Sequence, residues 1–252
     1  MWGLPHIAST SLEARLDGLH FSTAGLGEAL RALGADVRLD ALAPGSDFVL
    51  NGKVSGLLRD LDGQLEVRSD LGGLDIDAAV KNLAGGDGPM EFSAQVLADE
   101  FDLGRTLGTD VLGSVSFDAT AQGRLGENPL LGLRSMDISR LGVLGYDYSG
   151  LSLKGGFSGR DKAVTAALHS EDPNAALDFS GTFDMDDKTT SLLAEVRELD
   201  LAAINLARRG GISRLSFNIA ADQGIRKEVP VGIHISDVLL TNDEGRHEVG
   251  DI

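Results

Sequence analysis

The residue types able to do acid–base, nucleophilic or metal chemistry are present in this chain but do not converge along it. Five histidines, His6, His20, His169, His234 and His247, are scattered, and none stands at ligand or relay spacing to another histidine or to a nucleophile. Carboxylates gather in DMDD at 184–187, and GGDGP at 85–89 has the composition of one unit of a calcium-binding glycine repeat. A single copy without periodic partners reads as a turn. GFSG at 156–159 lacks the spacing of a nucleophile elbow, and no phosphate-binding loop is present. The expectation is a protein that is not an enzyme, with no catalytic residue, no metal and no cofactor.

Composition narrows the classes further. Twenty-two basic against 39 acidic side chains leave a formal charge of −17, which repels nucleic acid and anionic membrane surfaces. Arg208 and Arg209, beside Gly210 and Gly211, read as a solvated turn rather than a basic stripe. The chain has no cysteine, so a disulfide framework and a thiolate-held metal are excluded. No apolar run approaches the roughly 18 residues of a spanning helix, and MWGLPHIAST does not have the plan of a secretory signal. The chain reads as either cytosolic or a segment cut from a longer protein, and VGDI coming straight off a strand pattern favours the cut.

The elements that must position any site are strands. LDFSGTFDMD, Leu177 to Asp186, places Leu177, Phe179, Gly181, Phe183 and Met185 on one side and Asp178, Ser180, Thr182, Asp184 and Asp186 on the other. VSFDATAQGRL does the same with Val115, Phe117, Ala119, Ala121 and Leu125 against Ser116, Asp118, Thr120, Gln122 and Arg124. Period two is the mark of a strand with one apolar and one wet face, and a one-residue slip would invert both. Each large apolar side chain buried is worth roughly 1.5–3 kcal/mol, so the faces are strongly specified. With aromatics at 5%, the apolar face is a smooth aliphatic lining with scattered Phe.

On the order of fourteen strands are expected. The clearest helix is AGLGEALRAL at 24–33, with Leu26, Ala29, Leu30 and Leu33 on one face and Gly34 as its stop. MDISRLGVLGYDYSG reads as less regular, and Asp243-Glu244-Gly245 as a hairpin tip between two runs. Residues 92–123 line up with 192–222: Phe101-Asp102-Leu103 matches Leu199-Asp200-Leu201, and Phe117 matches Phe217. Such a repeat predicts an all-β chain built as an elongated sheet of stacked strand units, with loose sub-units about 1–84, 85–170 and 171–252.

The succession of strand, Asp-Leu connector, strand and glycine resembles that of AsmA-like and TamB-type proteins. LDFSGTFDMD, VRELDLAAINL, SRLSFNIAADQG and GIHISDVLLTNDEG carry the likeness over the last 75 or so residues. FVLNGKVSGLL near residue 50 extends it more loosely toward the start. The resemblance implies a curled antiparallel β-sheet with an apolar groove, in a periplasmic chain anchored at the inner membrane. It also implies movement of phospholipid toward the outer membrane, in outer-membrane biogenesis and protein secretion, with a barrel of the outer-membrane assembly family as partner. The N-terminal anchor and the C-terminal partner-binding region of that family are not in this sequence.

On this reading the ligand is the phospholipid acyl chain, and Phe92, Val96, Val115, Phe117, Phe179, Phe183, Phe217, Ile219, Ile233 and Ile235 line the groove. Carrying a chain of about 16 carbons through water exposes on the order of 10 kcal/mol of apolar surface. A continuous aliphatic lining removes that barrier. The alternative is a closed β-sandwich whose apolar faces meet, serving as a spacer or adhesin-like binding module. Alternation alone fits both, because both bury one face. The repeat construction favours the groove, as does the scarcity of Trp and Tyr, the stacking platforms of glycan binders.

Overall fold

Alternating hydropathy becomes strand throughout the computed structural model, which describes residues 10–22, 47–83, 88–206, 214–224, 232–242 and 245–251. These residues form fifteen antiparallel strands and one short helix. The chain divides into two units, Met1–Gly126 and Glu127–Ile252. The helix expected at 24–33 lies outside the described residues, as do His6, Arg208, Arg209, most of GGDGP, and Asp243 and Glu244.

Unit 1 is a meander in chain order: β1 (Ser11–Ser22), β2 (Asp47–Leu57), β3 (Asp60–Ser69), β4 (Gly72–Lys81), β5 (Met90–Asp102) and β6 (Leu112–Leu125). Helix α1 (Leu103–Leu107) joins the last two strands. Register aligns the apolar positions of all six strands on one face. One row runs Leu16, Gly52, Leu65, Ile76, Val96, Ala119, and the next runs Leu19, Leu50, Val67, Leu74, Ala98, Phe117. Gly52 is required in its row, since a Cβ there would come within 2.3 Å of the Gln64 carbonyl oxygen.

Unit 2 holds β7 (Leu130–Val143), β8 (Tyr146–Tyr148), β9 (Leu151–Ser158), β10 (Ala163–Asp172), β11 (Ala175–Asp184), β12 (Thr189–Asp200), β13 (Arg214–Gly224), β14 (Gly232–Asn242) and β15 (Gly245–Gly250). Strand β8 folds back on β7, and the others follow one another in the sheet. Its apolar face carries the row Leu153, Leu168, Phe179, Ala194, Ile219, Ile235.

The internal repeat has a structural counterpart. Val96, Ala98 and Phe101 stand opposite Ala119, Phe117 and Val115, and Ala194, Val196 and Leu199 opposite Ile219, Phe217 and Leu215, with the same register irregularity after Ala98 and after Val196. Each strand then ends on an aspartate that caps a turn. The Asp102 carboxylate accepts from the Arg105 N–H at 2.8 Å, and the Asp200 carboxylate from Ala202 and Ala203 N–H at 3.1 and 2.9 Å. Their own N–H groups donate to Leu71 O and Asn174 O, in the hairpin turn that precedes the neighbouring strand.

Two local features differ from expectation. MDISRLGVLGYDYSG is not irregular: it is most of β7 with the β7–β8 hairpin, whose period is broken by a register shift between Leu133 and Met136. Met185 leaves the alternating row because β11 ends at Asp184, and the side chain is exposed in the following turn. No helix among the described residues is long and apolar enough to cross a membrane.

Candidate functional site: an apolar sheet face capped at one end

Nine of the ten expected lining positions share the apolar faces, four in unit 1 and five in unit 2. Val96 stands beside Ile76 and Ala119, Phe92 beside Val80 and Gly123, and Phe117 beside Ala98, with Val115 two residues before it. In unit 2, Phe179, Ile219 and Ile235 belong to one row, Phe217 flanks Val196, and Phe183 stands between Val164 and Thr190. The backbone of Ile233 pairs with Ala221, and its side chain lies outside the described set. Leu65, Leu153 and Leu168 belong to the same faces and were not among the ten; strand register, which a single strand's sequence does not carry, is what adds them.

Cover over these faces is uneven. Leu16, Leu65, Ile76 and Val96 run through the middle of unit 1's sheet, yet all are only half-buried. A second sheet packed at about 10 Å would bury such a row completely. Burial is fullest toward one end. In unit 1, Leu71, Ala98 and Val115 toward the α1 end are 2–3% exposed and Ala119, at the end of the central row, is 8% exposed, whereas Leu125 at the far end of the same face is 37% exposed. In unit 2, Ile138, Leu151, Ala175, Val196 and Ile204 are buried at one end, and Leu131 and Val164 are exposed at the other.

The unit 2 cap is held by a polar knot. Asp172 is fully buried, its Oδ1 accepting from the Tyr146 hydroxyl at 2.8 Å and the Asn174 N–H at 2.9 Å, its Oδ2 from the Ser149 N–H at 2.9 Å. The Asn174 amide donates to the Tyr146 oxygen at 2.9 Å, and burial raises the pKa of this phenol. Asn205, in the connector that carries Ile204, donates to Leu144 O at 2.9 Å and so ties connector to hairpin. Replacing Tyr146 with Phe removes one bond to a buried carboxylate and should cost about 1–3 kcal/mol in urea unfolding.

The opposite face is polar, and register builds on it an arrangement that sequence spacing does not reveal. Ser152, His169 and Asp178 are cross-strand neighbours on β9, β10 and β11, along a recess of about 570 Å³ that Lys154, Glu195 and His234 also line. His169 Nδ1 meets Asp178 Oδ1 at 2.6 Å, but Nε2 meets Glu171 Oε1 at 3.4 Å. Arg197 holds the other Asp178 oxygen. Attack by Ser152 needs its hydroxyl on Nε2 and spare N–H donors for an oxyanion, and the strand N–H groups here are spent in the sheet ladder. The row is therefore a cross-strand ion-pair ladder. No three His, Cys, Asp or Glu among the described residues are placed to hold a metal ion.

This ladder gives a pH signature. Hydrogen bonds to Asp178 and then Glu171 raise the His169 pKa above 6.5, so its stabilising charge is fully present below about 6.5 and lost as pH rises through the raised value. The hydrogen bond from His169 in turn lowers the Asp178 pKa below 3.8, so that contribution is present above 3.8 and lost as pH falls through the depressed value. The Tm difference between the parent and His169→Gln should be largest between these limits and shrink above them. A difference that grows toward pH 9 contradicts the assignment.

The geometry thus offers no assembled reaction centre among the described residues; it offers broad aliphatic faces, open in the middle and capped at one end. Comparison of the chain with family models, with curated proteins and with solved structures finds no match.

Proposed function

We propose that this chain shields lipid acyl chains on its apolar sheet faces. It would do so as a segment of an inner-membrane-anchored periplasmic protein that passes phospholipid toward the outer membrane, the role implied by its TamB-type likeness. The observation that carries the reading is the half-burial of the central row Leu16, Leu65, Ile76 and Val96. Aliphatic side chains left partly in water along such a row favour any ligand that removes that water, at about 25 cal/mol per Å². An extended acyl chain is such a ligand, and the lining carries no charge to obstruct it. The charge of −17 argues against a nucleic-acid partner.

The purified chain, incubated with vesicles of phosphatidylethanolamine and phosphatidylglycerol and re-isolated by size exclusion, should carry phospholipid that survives the column. A chain that stays lipid-free at saturating vesicle concentration contradicts the reading and favours a face closed on itself.

A further inference from the structure

The recess on the wet face of unit 2 lies away from the acyl-lining rows, and its polar groups are not all spent within the chain. Register builds it from two adjacent rows across β9 to β14. One row carries His169, Asp178 and Glu195; the other runs from Lys154 to His234 through Ser180, Leu193 and Ala220. Ser180 and Ala220 flank Leu193 and are small, so this leucine is 57% exposed although its strand lies inside the sheet. The recess therefore has an apolar floor beside a polar wall. Elsewhere on the wet faces opposite charges meet across strands, as Lys53 meets Glu13 at 3.2 Å and Arg68 meets Asp75 at 2.9 Å. Here Asp178 is likewise taken up by His169 and Arg197, whereas Lys154 and Glu195 reach the recess with no ion pair or hydrogen bond among the described residues.

The two unmatched charges select the ligand. They stand on β9 and β12, three strand spacings or about 14 Å apart. A simple anion at Lys154 would also meet the field of Asp178 and Glu195. A metal ion finds no set of three ligating side chains among the described residues. A ligand that answers both charges carries an anion at one end and a cation at the other. We propose that the recess binds a short aliphatic peptide in its zwitterionic form, with the terminal carboxylate on Lys154, the terminal ammonium on Glu195 and an aliphatic side chain on Leu193. About four extended residues cover the distance, and a volume of about 570 Å³ is that of a small-ligand site. Ser180 stands on a strand between the two charges and has no hydrogen-bond partner among the described residues, which leaves its hydroxyl for the peptide main chain. The site is on the face opposite the acyl-lining rows, so it stands or falls independently of lipid binding.

The test is isothermal titration calorimetry of the whole chain with the tetrapeptide Ala-Leu-Leu-Ala, with its N-acetyl form and with its C-terminal amide. The free peptide should bind one to one, and each blocked form should bind about fivefold more weakly. Lys154→Gln and Glu195→Gln replace exposed side chains and leave the fold in place. In Lys154→Gln the free peptide and the amide should bind alike while acetylation still weakens binding; in Glu195→Gln the reverse should hold. No binding of the free peptide at millimolar concentration overturns the site. Equal binding of all three peptides to the parent chain, or the same response of both variants to both blocks, overturns the charge assignment. Tetraglycine, which has the charges and no side chain for Leu193, and glycerophosphoethanolamine, a zwitterion of lipid origin, should both bind more weakly than Ala-Leu-Leu-Ala. Equal or tighter binding of either one overturns the aliphatic peptide as the ligand.

Discussion

Phe117→Asp is expected to leave the chain folded and to reduce lipid capture at least about a hundredfold. Phe117 is half-buried on the unit 1 face, although Val115 and Ala119 on its own strand and Ala98 beside it are buried. Its replacement forfeits about 1–3 kcal/mol of burial. A carboxylate beneath an acyl chain must either lose its water or expel the chain, at a cost of several kcal/mol. Val115, two residues earlier on the same strand and face, supplies the contrast, because it is 3% exposed beneath α1. Val115→Asp strands a charge in covered structure and should cost about 4 kcal/mol or more of stability. Equal destabilisation by the two substitutions in urea unfolding would mean that Phe117 is as enclosed as Val115. The face would then be a core rather than a binding surface.

The second large effect is expected at Gly104. This residue is buried in α1, and a Cβ there would lie 2.2 Å from Leu112 O, 2.9 Å from Thr109 O and 3.2 Å from Leu112 C, all backbone atoms. No side-chain rotation relieves such a clash, so Gly104→Ala must push α1 away from the start of β6. We expect a loss of about 3 kcal/mol in urea unfolding, together with faster hydrogen exchange at Leu71 and Val115 as the cap lifts. Gly108 provides the control: it ends the helix at φ 64°, with nothing within 4 Å of the place a Cβ would occupy. Gly108→Ala should cost only the left-handed backbone term, about 1–2 kcal/mol. If the two alanine variants are equally stable, α1 does not seal the end of the face.

Most of the architecture was legible from period two, and particular residues show why. Phe179, Phe183, Asp178 and Ser180 stand on the faces their alternation assigns, because one apolar face fixes register. The Asp-Leu motif was also legible as a repeat. Its role was not: that Asp102 and Asp200 cap turns over the ends of their faces depends on main-chain bonds to Leu71 and Asn174, 31 and 26 residues away by their numbers. Helix α1 has Asp102 as its N-cap and Gly108 as its C-cap, both helix signals, but its five residues are too few to show a 3.6-residue period. The Ser152–His169–Asp178 row was invisible for a different reason. Three residues spaced 17 and 9 apart become neighbours only once two hairpins have set their registers. Likewise, alternation marks a residue as facing the apolar side without saying whether that side is covered, so Val115 and Phe117 read alike in sequence and differ in burial.

Whether the apolar face is open and occupied by lipid is decided by placing a photo-crosslinking residue at Phe117 and, separately, at Asp118, in the full-length protein in cells. The two are adjacent on β6 and face opposite ways; Asp118 accepts from the Gln95 amide at 3.0 Å on the polar face. An open, loaded face captures phospholipid from position 117 and none from position 118. Capture at neither position, with position 117 crosslinked instead to another strand of the same chain, would mean that the face is closed on itself and carries no lipid.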